Sequence, residues 1–174
     1  MQRLLKHSLF LFCLSLSGTS LFAQTNPLAA WQGNWAGTLE IYNTKGLTQT
    51  VAMELNVKQL SDTSWTWQIV YGEGEARQPR NYELLTTEEP GQYIIDEKNS
   101  IELYLSLIHN GFFSFFQVGK SKLLISYELV DDAIHFRTHS ANTDSEYQTG
   151  KAENVPLVLS WKTGAYQKAV LKKK

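Results

Sequence analysis

Beyond Gly33, apolar and polar residues alternate with a period of two over short runs, and turn-forming residues punctuate those runs at short intervals. Period two puts successive side chains on opposite faces of an extended strand, whereas a helix needs a repeat near 3.6. The aromatic and β-branched content of the runs agrees with strands. The pattern predicts strands over 35–43, 48–58, 64–71, 81–86, 92–95, 101–108, 112–118, 123–130, 133–140 and 155–162, with a short one over 146–149. The segment 166–171 stays open between a strand and a frayed helix. The expected class is all-β.

The middle of the chain also predicts its own register. Asn110-Gly111 and Asp131-Asp132 read as two-residue hairpin turns, and Gly119-Lys120-Ser121-Lys122 as a four-residue loop. Pairing outward from them sets Leu105 opposite Phe116, Phe116 opposite Ile125, Tyr127 opposite Phe136, and Leu129 opposite Ile134. Extending the ladder collects Leu103, Leu105, Leu107, Phe112, Phe116, Val118, Leu123, Ile125, Leu129, Ile134 and Phe136 on one face. A slip of one residue would replace that set with Ser106, Gln117, Ser126, Glu128 and Arg137. Consecutive hairpins of this kind make a meander of about ten antiparallel strands, and closure into a single barrel is the simplest way to hide its edges. A sandwich is the alternative, but its crossovers need longer connections than these tight turns supply.

The ends bear on compartment. Arg3 and Lys6 precede an apolar run from Leu9 to Leu16, and small residues follow up to Ala23. This is the order of a secretory signal peptide, too short in its apolar part for a membrane-spanning helix. The expected organisation is a signal peptide over 1–23 and one barrel domain over 24–174, exported to the periplasm or secreted. Cys13 is the only cysteine and lies inside the signal, so the mature chain is expected to be stable through its core alone. Removing Arg3 and Lys6 leaves 14 of 16 basic residues against 17 acidic ones, a net charge of −3. Nucleic acid is excluded as a partner on that balance, because phosphate binding needs a basic field. Lys172, Lys173 and Lys174 read as a solvated tail, and no transmembrane span is expected in the mature chain.

A short helical turn is predicted over 26–31, with Asn26 as its cap and Pro27 at its first position. Just after it, Gly33-Asn34-Trp35 resembles the Gly-x-Trp signature of lipocalins and the wider calycin group. The resemblance covers most of the mature chain and implies a small antiparallel barrel whose closed end is plugged by Trp35. Lipocalins usually set an arginine on the last strand across this tryptophan, and the nearest candidate here is Lys162, beside Trp161. Gly33 to Gly37 is also similar to the opening of nitrobindin-like barrels, which hold haem. This chain has Leu39 where that pattern has a third glycine, and no histidine is matched to the haem ligand, so no cofactor is expected.

Motifs for chemistry are sparse. His135, Arg137 and His139 alternate along one strand, but the ladder turns all three outward, with His135 beside Glu128, and no third metal ligand joins them. His109 falls at a hairpin tip. Asn142, Asp144, Glu146 and Glu153 have the spacing of a calcium loop, yet Tyr147 stands where that loop needs glycine. No metal is expected. Ser114 points inward without a histidine on its face, no Gly-x-Ser-x-Gly elbow exists, and the Gly72–Glu75 turn is acidic, wrong in charge for phosphate. An enzyme is the third of three readings, kept because sites assembled in space escape the sequence.

The interior carries the first reading. Its apolar face has scattered polar tips at Tyr93, Ser114, Tyr127 and Thr138, and by parity Trp65, Trp67 and Tyr71. The candidate ligand-binding residues are Trp67, Tyr93, Leu105, Ser114, Phe116, Ile125, Tyr127 and Phe136, with small Ser114 leaving a hollow faced by the Tyr127 hydroxyl. The expected occupant is a small apolar or amphipathic molecule. The alternative is a barrel filled by the same side chains, acting as a structural or protein-interaction module in the cell envelope. Its surface would be Ile108, Phe113 and Phe115, and outward Phe113 is expected to lie under a loop, the tail or a partner.

Overall fold

The computed structural model describes Asn26, residues 28–150 and residues 152–174; the expected signal peptide lies outside the described residues. A 3-10 turn, Ala29–Trp31, leads into β1 (Gly33–Asn43). Then follow β2 (Gly46–Ser61), β3 (Ser64–Tyr71), β4 (Gln78–Thr86), β5 (Gln92–Asp96), β6 (Glu102–Ile108), β7 (Gly111–Val118), β8 (Ser121–Val130) and β9 (Ala133–Asn142). After them come β10 (Tyr147–Thr149), β11 (Val158–Ser160) and β12 (Thr163–Lys173). The strand order β1-β12-β9-β8-β7-β6-β5-β4-β3-β2 closes on itself, so ten antiparallel strands form one barrel. Closure removes both sheet edges, as the run of hairpins requires. Among the described residues no helix is long and apolar enough to cross a membrane.

The open choice at 166–171 resolves as the middle of β12, which pairs with both β1 and β9 and so closes the barrel. The expected strand 155–162 is corrected: only Val158–Ser160 is extended, paired with Tyr147–Thr149 in a small separate sheet. Its alternation is real, but Val155, Leu157 and Leu159 are all exposed, so the pattern serves a two-stranded excursion rather than the wall.

Two registers also differ from expectation. The β6–β7 turn is His109-Asn110, with His109 left-handed and Ile108 opposite Gly111. The β7–β8 turn is Gly119-Lys120, with Val118 opposite Ser121. Each shift moves the pairing by two residues. Phe116 therefore faces Leu123 instead of Ile125, Phe112 faces Tyr127, and Ser114 faces Ile125. An even shift keeps every side chain on its face, which is why the predicted inward set survives a wrong register. The β8–β9 pairs, Tyr127 with Phe136 and Leu129 with Ile134, stand as expected.

Glycine explains why the outward Phe113 is only half-exposed. A Cβ on Gly111 would lie 2.8 Å from the Phe113 ring, so the ring folds back over its own strand into the space that glycine leaves. No loop, tail or partner is needed to cover it. Gly37 acts at the seam, where a Cβ would collide with the Val170 carbonyl of β12.

The wall is uneven in height. β5 meets β4 only from Glu83 to Thr86, leaving residues 78–82 paired with β3 alone. The β6–β7 ladder runs only from Ser106 to Ile108. Between β4 and β7 the barrel is thus notched at one end, above the short β5–β6 hairpin.

Candidate ligand-binding site

The two halves of the interior differ. At the end where β1 begins, Leu28 and Trp31 of the 3-10 turn tuck inside and are buried with Trp35, Val57, Trp65, Leu84, Ile134 and Leu171. The turn is held by Asn26, whose side-chain oxygen accepts from the Leu28 N–H at 2.9 Å. The Trp35 indole donates to the Trp31 carbonyl at 2.8 Å, fastening plug to strand. Trp31 meets Phe112 edge-on at 4.8 Å between centroids, and Phe112 meets Trp67 at 5.5 Å and Tyr93 at 5.3 Å in the same manner. Such edge-to-face pairs add to plain burial. The cation across Trp35 is Lys173, opposite it on β12 with Nζ 5.1 Å from the ring, and not Lys162, which lies beyond the barrel strands.

Above this layer the interior is hollow. A cavity of about 440 Å3 stands on a floor of Trp67, Tyr127 and Phe136 and opens toward the notch. Leu105, Ser114, Phe116 and Ile125 form its sides, so seven of the eight interior candidates line it. Tyr93 does not. It is buried on the plug side against Phe112 and borders a second, polar depression rimmed by Asp62, Glu88 and Glu89. The volume of the first cavity is typical of small-molecule sites.

The polar groups are distributed with some economy. Ser114 does not face the Tyr127 hydroxyl across a hollow; its Oγ donates to the Tyr104 carbonyl at 2.7 Å, stitching β7 to β6 where their backbone ladder stops. Thr138 Oγ1 is buried in the cavity wall and has no hydrogen-bond partner among the described residues. Burial drives the Tyr127 phenol far above the ordinary tyrosine range, so it stays neutral. Burial also raises Tyr71, with Arg80 pulling the other way.

Arg80, Tyr82, Glu97 and Gln167 line the cavity and were not foreseen. Arg80 and Tyr82 pair with Ile69 and Trp67, which fixes their parity as inward. The signal was present: carrying the alternation back from Leu84 reaches Tyr82 and then Arg80, but a strand begun at Asn81 stops short of Arg80. Arg80 Nη1 donates to the Tyr82 hydroxyl at 3.4 Å, and its guanidinium lies 5.6 Å from the Tyr71 ring centre.

Outside the barrel the remaining candidates are accounted for. Glu128 pairs with Arg137 rather than with its register partner His135, and the His139 ring stacks on Tyr166 at 4.9 Å. Within the calcium-like spacing, Asn142 accepts from the Asp144 backbone N–H and Asp144 pairs with Lys120. Among the described residues no three His, Cys, Asp or Glu converge on a point that could hold a metal ion.

No family model matches the chain, and no curated protein does. Among solved structures it is similar to the S-type phycobiliprotein lyase CPES from Guillardia theta, with a TM-score of 0.57 and 8% identity over 83% of this chain and 89% of that one. Two further barrels align at a TM-score of 0.36. They are EF1p2_mFAP2b bound to DFHBI (13% identity, 83% of this chain, 94% of that one) and the redesigned β-barrel b11L5F_LGL (11%, 85% and 95%). At these identities the likeness to the lyase speaks for the fold alone.

Proposed function

We propose that this chain is an exported, calycin-like barrel that binds a small apolar or amphipathic molecule in the cavity above Trp67. The observation that carries the reading is the division of the interior. One half is filled by a tryptophan-rich plug, and the other keeps a cavity of about 440 Å3 with aromatic and aliphatic walls and one buried hydroxyl, Thr138, that has no partner among the described residues. Protein interiors are ordinarily close-packed with few voids larger than a water molecule, so a hollow of this size departs from a merely filled core. Export rests on the order of residues 1–23, and the calycin affinity on Gly33-Asn34-Trp35 at the plugged end. The test is titration with N-phenyl-1-naphthylamine, a neutral dye that brightens in apolar surroundings. Saturable binding by the parent, abolished in Ile125→Trp and retained in Phe115→Ala, is the expected result. Absence of saturable binding by the parent sinks the reading.

One observation favours a second reading, an interaction module. Phe115, Tyr104 and Ile108 are 73%, 72% and 61% exposed on neighbouring strands β6 and β7. Such a group of bared apolar side chains marks many interaction surfaces. Loss of binding in Phe115→Ala instead of Ile125→Trp would shift the assignment to that outer face.

A further inference from the structure

The ligand-binding reading leaves open what kind of polar end the ligand has, and the mouth of the cavity narrows it. Building on that reading, we propose that the ligand is a monocarboxylate amphiphile whose head docks on Arg80 at the notch while its apolar body lies over Trp67, Tyr127 and Phe136. Arg80 projects from the part of β4 that has no β5 partner, where the wall is lowest and a ligand head would meet solvent. Its parity is inward and it lines the cavity, a position that normally carries an apolar residue.

Of the three arginines among the described residues, Arg80 has no carboxylate within ion-pair distance, whereas Arg77 pairs with Glu54 and Arg137 with Glu128. What holds it is uncharged: a long hydrogen bond to the Tyr82 hydroxyl and the face of Tyr71. Those contacts fix the direction of the guanidinium and use at most one of its five donors. A planar fork with spare donors beside an apolar hollow matches a carboxylate, which it can engage through two parallel hydrogen bonds.

Glu97 borders the same mouth, its carboxylate accepting from the Asn99 amide at 3.3 Å. It lies beyond ion-pair range of Arg80 and adds one negative charge to the entrance. The pair therefore tolerates a single anionic group and disfavours a dianion such as a phosphomonoester. Thr138, on β9, is five strands from β4 in either direction around the barrel, and so on the opposite wall. Its free hydroxyl suits an oxygen further along the ligand, not the head.

The experiment is displacement of N-phenyl-1-naphthylamine by dodecanoate and by dodecan-1-ol, two chains of equal length that differ in the head, well above the carboxylate's ordinary pKa. The parent is expected to bind dodecanoate about tenfold more tightly than the alcohol, the scale of one exposed charge-assisted contact. Arg80→Gln should abolish that preference and leave the dye and the alcohol unchanged. Glu97→Gln should strengthen dodecanoate alone, and added salt should weaken dodecanoate alone. Equal affinities for acid and alcohol in the parent overturn the inference while the cavity reading stands; that comparison needs no variant to fold. Equal losses for both ligands in Arg80→Gln overturn it too. If neither displaces the dye and the dye itself fails to saturate, the cavity reading falls and the head-group inference with it.

Discussion

The plugged end and the notched end are built from the same alternation on the same ten strands, yet one is solid and the other hollow. Two physical differences separate them. At the plugged end the chain folds its own N-terminal turn into the barrel, adding Leu28 and Trp31 to residues already supplied by the strands. Among the described residues no segment turns inward at the notched end, and β5 and the β6–β7 ladder stop short, so side chains such as Phe116, Leu123 and Ile125 line a space and stay only partly buried. Period two decides which face a residue occupies. It does not decide how much material shares the depth at which that residue lies.

The largest expected effect breaks or sustains this contrast directly. Trp35→Ala removes a buried indole and its bond to the Trp31 carbonyl, and should destabilise the protein by about 3–5 kcal/mol. Phe116→Ala, whose ring already faces open volume, should cost about 1 kcal/mol or less. Denaturant melts of both variants measure the difference. Comparable losses would mean that the two halves are packed alike.

Much of the architecture could be read from the residues because strand parity survives errors that would ruin a finer prediction. The turns at His109-Asn110 and Gly119-Lys120 were each misplaced, yet the inward set held, since both errors moved the pairing by two. The strands on either side of the excursion were harder. Val155, Leu157 and Leu159 alternate as a wall strand would, and only the tertiary pairing of β12 with β9 shows that the wall bypasses them. The cavity walls followed from parity, but its charged rim did not. A cation on an inward position contradicts the rule by which the face is found, and Arg80 lies outside a strand begun at Asn81, whereas β4 begins at Gln78. Tyr93 shows the converse limit: it has the right face and the wrong depth.

A second expected effect concerns the boundary between the halves, where Tyr127 lies fully enclosed between Trp67 and Phe136. Its folded pKa is raised by burial above the unfolded value near 10. The neutral phenol is therefore retained by the folded state while the unfolded chain loses its proton. The corresponding stability is fully present below about pH 10 and is lost as the pH rises further, at up to about 1.4 kcal/mol per pH unit for one such group. Chemical denaturation in a series of alkaline buffers should show this decline, and Tyr127→Phe should make it shallower. An unchanged slope in Tyr127→Phe would mean that the floor of the cavity is wet enough to ionise, and that the two halves are less distinct than their packing implies.

The smallest effect has the most informative sign. Thr138 and Ser114 are both buried hydroxyl residues of the notched half, but Ser114 is satisfied by the Tyr104 carbonyl and Thr138 has no partner among the described residues. Removing a satisfied hydroxyl leaves its acceptor short, so Ser114→Ala should destabilise by about 1 kcal/mol. Thr138→Val keeps the shape of the side chain and removes only an oxygen that gains nothing inside the protein. In the absence of ligand it should stabilise the barrel by about 1 kcal/mol, because a buried unsatisfied group costs on that scale. The comparison then reverses when a ligand with a second oxygen is present, since the parent hydroxyl would have something to bond and valine would not. Thermal melts with and without such a ligand read both signs. A loss of stability in ligand-free Thr138→Val would show that the hydroxyl is already satisfied, and that the cavity holds its polar wall ready for water rather than for a guest.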